Sequence, residues 1–381
     1  MIYLDYAADT PACEAALSAF AHTAREYTAN PNAGHALGQL AFARLHAATA
    51  HIAKMLDAEP TEVVLVSGAT EANNLAILGA AKAYQSRGRH IITSPMEHAS
   101  VTAPMMALKS EGFELDFVKV LPNGQVDLSH LHSLLRPDTV LLSLCAVDSE
   151  AGVIQPLAKV RQVLAGFPNC RLHTDASQTV GKLPINLSGI DLVTLSPHKF
   201  YGITGSGALI VRGGLRLAPL WHGGSGATPY RSGTPALALA AAMEAALEDA
   251  LFSLEKRLAY VQALHKTLRD GLITLPSVMI NSPENASPYI LNFSVSGVRG
   301  RDVIEQLSLQ GICVSSKSAC CAPSAPSHPV MAMTGDRKRA MNTIRVSLSH
   351  LTIESEIQQF LQALRACVEK TEASHGSSTK N

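Results

Sequence analysis

LSPHKFYGITGSGALIVR, residues 195–212, places a lysine directly after a histidine at the end of an apolar run, then a glycine-rich turn, then a second apolar run. The two runs read as neighbouring strands, LVTLSPHK (192–199) and GALIVR (207–212), and an ammonium group at the end of the first needs a reason. Working outward, short β-branched runs of the same kind recur at EVVLVSG (62–68), HIITSP (90–95), ELDFVKV (114–120), TVLLSLCAVD (139–148) and CRLHTDAS (170–177), with helical stretches between them. Many are apolar on successive residues, which is how strands covered on both faces read. The alternation predicts an α/β fold built on a seven-stranded, mostly parallel, doubly wound sheet.

After residue 235 the pattern changes. Leu251, Leu254, Leu258, Val261, Leu264 and Leu268 recur at spacings of three and four and predict one long amphipathic helix. Beyond it come strands at YILNFSV (289–295), ICVSS (312–316) and NTIRVSLS (342–349), with helices at 301–310 and from about 352. That is a compact α+β unit. The expected organisation is a large domain over 12–245 and a smaller one formed by 1–11 and 246–370, the latter carrying a polar loop at 318–329. The end, TEASHGSSTKN (371–381), has the composition of a disordered tail.

With 381 residues, two domains are expected. Lys+Arg and Asp+Glu are both 31, and this zero net charge argues against nucleic acid or an anionic membrane as partner. The start lacks a basic n-region and carries Asp5 and Asp9, so no signal peptide is expected. The most apolar stretch, PALALAAAMEAALEDALF (235–252), is interrupted by Glu244 and Glu248 and is too polar to span a bilayer. Seven cysteines without CxxC pairs suit a reducing cytoplasm better than a disulfide framework, and no metal site is expected.

Ligands of open parallel sheets sit beyond the carboxyl ends of the strands. Those ends supply SGATEANN (67–74), MEHAS (96–100), Asp148, DASQ (175–178) and SPHK (196–199). Gly68, Ala69 and Thr70 lie between a strand and a helix, where exposed backbone N–H groups bind phosphate; an ordinary Thr70 cap is the competing explanation. Asp175 ends a buried strand and needs a cationic partner, either a protonated ring nitrogen or an arginine. Lys199 in a closed site loses solvation of its charged form, so that its neutral amine can attack a carbonyl; a lysine snorkelling at a strand end is the plainer alternative. Together, a phosphate cup, a carboxylate for a ring nitrogen and an imine-forming lysine are the three needs of pyridoxal 5′-phosphate.

At this point the chain resembles the cysteine desulfurases, in the class V aminotransferase group of fold-type I pyridoxal-phosphate enzymes. The matching stretches are LDYAADT (4–10), NPNAGH (30–35), SGATEANNLAI (67–77), HIITSPMEHASV (90–101), HTDASQTVGKLPI (173–185), SPHKFYG (196–202), RSGT (231–234), SSKSAC (315–320) and IRVSL (344–348), in order over nearly the whole chain. The resemblance implies that Lys199 holds the cofactor and moves the α-proton. It implies that His98 stacks on the ring and assists acid–base steps, that Asp175 pairs with the ring nitrogen, and that Gln178 bonds the phenolic oxygen. Thr70, Ser196 and His198 would hold the phosphate, and Thr234 would reach the phosphate of a neighbouring subunit, which implies a homodimer. Arg345 would clamp the substrate carboxylate, a bidentate task suited to a guanidinium, with Asn30 and Asp148 also on the substrate. Cys320 would be the nucleophile that takes sulfur from L-cysteine as a persulfide, releases alanine, and passes sulfur to an acceptor protein, for iron–sulfur cluster assembly or thiolation.

Departures from the family pattern mark where the activity would differ. AVDSEAGV (146–153) has Asp148 where relatives usually have asparagine. A carboxylate facing the phenolic oxygen and the substrate carboxylate would meet repulsion on the order of 4 kcal/mol per pair at about 4 Å and intermediate dielectric. Lys317 replaces a usual glycine three residues before Cys320, where a cation favours the thiolate or stiffens the loop. Gly226, Ala227 and Thr228 replace a polar-Glu-Arg triplet, and Cys321 adjoins the nucleophile as a candidate second relay. An aminotransferase or lyase acting on a related amino acid is the second reading, and a low-activity relative the third.

Overall fold

The computed structural model describes residues 1–224, 226–317 and 325–378. Strand β1 (Ile2–Tyr3) opens the chain, followed by β2 (Val63–Val66), β3 (His90–Thr93), β4 (Glu114–Phe117), β5 (Thr139–Ser143), β6 (Arg171–Asp175), β7 (Leu192–Leu195) and β8 (Gly207–Val211). All seven expected runs form one sheet, in the order β2-β8-β7-β6-β5-β3-β4. Strands β3 to β7 are mutually parallel, whereas β8 runs antiparallel to both β7 and β2. The reversal follows from the connection: residues 196–206 hold only one turn of 3-10 helix, and a parallel return needs a crossover of a dozen or more residues.

The successive apolar residues serve two faces. Ile91, Leu141, Leu192 and Leu209 pack with residues of the helices Ala69–Tyr84 and Ala99–Ser110. Their next neighbours Ile92, Leu142, Val193 and Ile210 pack with residues of the helices Leu157–Leu164 and Leu237–Phe252. Each such side chain contributes about 1.5–3 kcal/mol on full burial.

Downstream, β9 (Val278–Ile280), β10 (Ile290–Val295), β11 (Ile312–Cys313) and β12 (Thr343–Ser347) complete the strands. An antiparallel sheet β12-β10-β9 has its own core with Val261, Leu264, Leu268, Phe293 and Phe360, and β1 pairs in parallel with β11. The expected single helix through Leu251 is two, Leu237–Phe252 and Leu254–Ile273, which meet at Ser253. Leu251 packs against the core of the large sheet and Leu258 against the C-terminal core, so the chain must turn between them. The last helix, Glu354–Ser378, takes in residues whose composition reads as disordered tail, because each added residue gains a hydrogen bond without a new nucleus. No helix among the described residues is long and apolar enough to cross a membrane.

Residues 4–10 connect the two cores. Asp5 bridges to Ser347 of β12, the Ala7 N–H donates to Ser347 Oγ (2.9 Å), and the Thr10 N–H donates to the His198 carbonyl (3.0 Å). This segment therefore passes over the carboxyl end of β7.

Candidate active site

Lys199 leaves β7 through the turn Pro197–Lys199, and its Nζ donates to the carbonyls of Ala7 (2.9 Å) and Ala8 (2.5 Å). The Thr10 hydroxyl locks this approach by donating to the His198 carbonyl (2.7 Å) and accepting from the Tyr201 N–H (2.8 Å). Tyr201 sits at φ 69°, a left-handed conformation unfavourable for a side chain with a Cβ. Its buried ring and a 2.7 Å bond between its hydroxyl and Ser349 Oγ hold it there. Burial, aided by the positive field of Arg345, lowers the Lys199 amine to about 8, against the opposing pull of Asp9, Asp175 and Asp5.

Around this amine lies a cavity of about 450 Å³, lined by Gly68, Ala69 and Thr70 at a helix start, His98 after β3, Asp175 and Gln178 after β6, His198 and Lys199 after β7, and Arg345 on β12. Asp175 Oδ1 accepts from the Ser177 N–H (2.9 Å) and Oδ2 from the Asn73 amide (2.8 Å). The same Asn73 amide donates to Ser100 Oγ (2.8 Å). The Ser100 N–H in turn donates to His98 Nδ1 (3.1 Å), which places the proton of a neutral ring on Nε2. Burial lowers the pKa of His98, which favours that neutral ring, and lowers His198 to about 4, with Lys199 adding to the effect. Gln178 donates from Nε2 to the Ala7 carbonyl (2.8 Å). Arg345, 2% exposed, donates to Asp5 Oδ1 (2.6 Å) and to the Ser149 carbonyl (2.9 Å), while its buried Nε has no partner among the described residues.

Four expected residues lie elsewhere. Ser196 is fully buried behind His198, its Oγ 3.4 Å from the ring Nδ1. Asn30 and Thr234 line a separate groove of their own chain, 3.5 Å apart, and do not reach the Lys199 cavity. Asp148 is not among the residues that line the cavity, where Ser149 is; its buried carboxylate accepts from the N–H groups of Glu150 (3.1 Å) and Ala151 (2.5 Å). Burial, followed by the Glu150 charge, raises the Asp148 carboxyl to about 7. Cys320 and Cys321 lie outside the described residues.

Sequence reading missed Asn73, Ser100, Ser149 and Lys182. Asn73 had a usable signal, since it follows Thr70 by three residues on one helix and so shares its face. Lys182 stands only four residues after its partner Gln178, but residues 177–182 form turns rather than a helix, so no periodic spacing pairs the two.

The donor set fits pyridoxal phosphate. The helix Ala69–Tyr84 starts at Gly68 without a side-chain cap, leaving first-turn N–H groups at the cavity. Gly207 backs this start so closely that a Cβ on it would lie 2.7 Å from Gly68 Cα. A carboxylate at Asp175 and an amine at Lys199 line the same cavity.

A sheet with these strand directions, and a lysine, a carboxylate and an uncapped helix start gathered at its strand ends, defines a fold-type I transferase. The chain matches the family model described as Aminotransferase class-V over residues 2–360 and belongs to that family. It is 36% identical over 374 residues to the cysteine desulfurase IscS of Dictyoglomus turgidum, covering 97% of this chain and 95% of that one. A solved NifS-like protein superposes with a TM-score of 0.90 at 32% identity, over 97% of this chain and 99% of the other. SspA, solved in complex with cysteine, superposes at 0.80 and 32% identity, over 93% of this chain and all of the other.

Proposed function

We propose that the chain is an L-cysteine desulfurase that uses pyridoxal 5′-phosphate. The observation that carries this reading is the convergence of the Lys199 amine, the Asp175 carboxylate and the uncapped helix start on one cavity. Desulfurase relatives along almost the whole chain support it.

When bound, the cofactor supplies an electron sink that makes the α-proton of an amino acid acidic. Lys199 would hold the cofactor aldehyde and, once the substrate amine has taken its place there, its freed amine, lowered to about 8, would take that proton at Nζ. Asp175 holds a proton at the ring nitrogen, kept in place by Asn73 and the Ser177 N–H. The N–H groups of Ala69 and Thr70, with His198, hold the phosphate. His98, which lines the cavity, would lie against the ring with its Nε2–H free to donate. Arg345 turns from Asp5 and the Ser149 carbonyl to the substrate carboxylate. The Cys320 thiolate accepts sulfur, so that L-cysteine and a protein thiol become L-alanine and a protein persulfide. An acceptor protein then takes that sulfur, as in iron–sulfur cluster assembly.

The active form is a homodimer in which Asn30 and Thr234 serve the partner's site; their distance from their own cavity supports this. The described cysteines that are free thiols support a reducing, cytoplasmic setting.

The test is alanine release from L-cysteine in the presence of reductant. Wild type is expected to turn over, and Cys320→Ser to bind pyridoxal phosphate but release no alanine. Full turnover by Cys320→Ser would replace this reading with an aminotransferase or lyase.

A further inference from the structure

Lys182 is 2% exposed in the connection between β6 and β7, and it has no carboxylate acting on it among the described residues. Burying an ammonium without a counter-ion is costly, and an apolar residue would fill the space more cheaply. Its ammonium has two neighbours of note. Nζ donates to Gln178 Oε1 at 3.0 Å and lies 5.8 Å from the centre of the Tyr289 ring. The other end of Gln178 donates from Nε2 to the Ala7 carbonyl, which also accepts from Lys199.

A primary amide can turn half a revolution about its last bond, exchanging donor for acceptor at almost no steric cost. An ammonium has three donors and no acceptor, so it admits one orientation only: Oε1 towards Lys182, the N–H edge towards Ala7 and the cavity. We propose that Lys182 is a positioning residue that fixes the Gln178 amide with its donor edge to the cavity, so that the site receives an anionic oxygen there. This rests on reading the cavity as a pyridoxal-phosphate site, whose ring phenolate is that oxygen.

The test is equilibrium binding of pyridoxal 5′-phosphate, followed by cofactor absorbance at about pH 6, below the value of about 7 to which burial lowers Lys182, so that the side chain is donor-only. Lys182→Met is expected to bind about tenfold more weakly, because the amide is then held from one side only, by the Ala7 carbonyl. Lys182→Arg, also donor-only, is expected to restore the affinity. On a Gln178→Leu background Lys182→Met should cost nothing further. Circular dichroism checks the fold; should Lys182→Met fail to fold, Lys182→Gln, which accepts as well as donates, is expected to show the same loss. Wild-type affinity in Lys182→Met or Lys182→Gln, or an equal loss with and without Gln178, overturns the proposal. Failure of the wild type to bind the cofactor overturns the reading of the cavity itself, a distinct result.

Discussion

Asp175 and Asp148 are both buried carboxylates after strands of one sheet, yet their surroundings assign them opposite tasks. Asp175 lines the cavity with one oxygen on the Asn73 amide and the other on a backbone N–H. Asp175→Ala is expected to weaken pyridoxal-phosphate binding roughly tenfold to a hundredfold, measured by cofactor titration. Asp148 does not line the cavity and its carboxylate is held by two backbone N–H groups, so Asp148→Asn is expected to leave alanine release from cysteine close to wild type. Its effect belongs to stability. The folded carboxyl, raised to about 7, lies above the unfolded value of about 4. The folded state therefore holds the extra proton; that stabilisation is complete below about pH 4 and is lost as pH rises through about 7. The melting temperature of Asp148→Asn, relative to wild type, is expected to rise between about pH 5 and about pH 8. A difference that stays constant with pH would remove Asp148 from the titrating set.

Among the elements, the helix Ala69–Tyr84 and strand β8 act as one device. β8 begins at Gly207, which lies against the backbone of Gly68, where the helix starts. A Cβ at Gly207 would lie 2.7 Å from Gly68 Cα and cannot be accommodated without moving one of them. Gly207→Ala is expected to destabilise the protein by about 1–3 kcal/mol in denaturant unfolding and to weaken cofactor binding along with it. Retained affinity in a stable Gly207→Ala protein would mean that the phosphate does not sit at this helix start. Residues 4–10 are a second such element, a segment with a turn at 6–8 whose carbonyls hold Lys199 while its amides tie to β12 and His198. Neither element has a periodic pattern that announces its task.

On the scale of the whole molecule, the helix Ala36–Met55 leaves Leu37, Leu40 and Phe42 between 56% and 60% exposed. With Thr234 and Asn30 outside the cavity of their own chain, a second copy of the chain is the occupant we propose for this face. Paired Leu40→Asp and Phe42→Asp substitutions are expected to convert a dimer to a monomer in sedimentation, with weaker cofactor binding. A monomeric wild type with full activity would end the shared-site reading.

The sequence by itself determined the seven strands and which of their ends would carry chemistry, because strands buried on both faces need apolar residues in succession, as at Ile91 and Ile92 or Leu141 and Leu142. β1 and β9, two and three residues long, were not read as strands, whereas the equally short β11 lies in the apolar run ICVSS. It also named Lys199, Asp175, His98, Gln178 and Arg345, which the fold brings to one cavity. Only the tertiary structure decided that Ser149 rather than Asp148 lines the cavity, and that Asn73 and Lys182 stand behind the cavity-lining groups. The reason is physical: periodicity records which side of an element is apolar, whereas the aim of a polar side chain depends on partners far along the chain, such as Asn73 for Asp175.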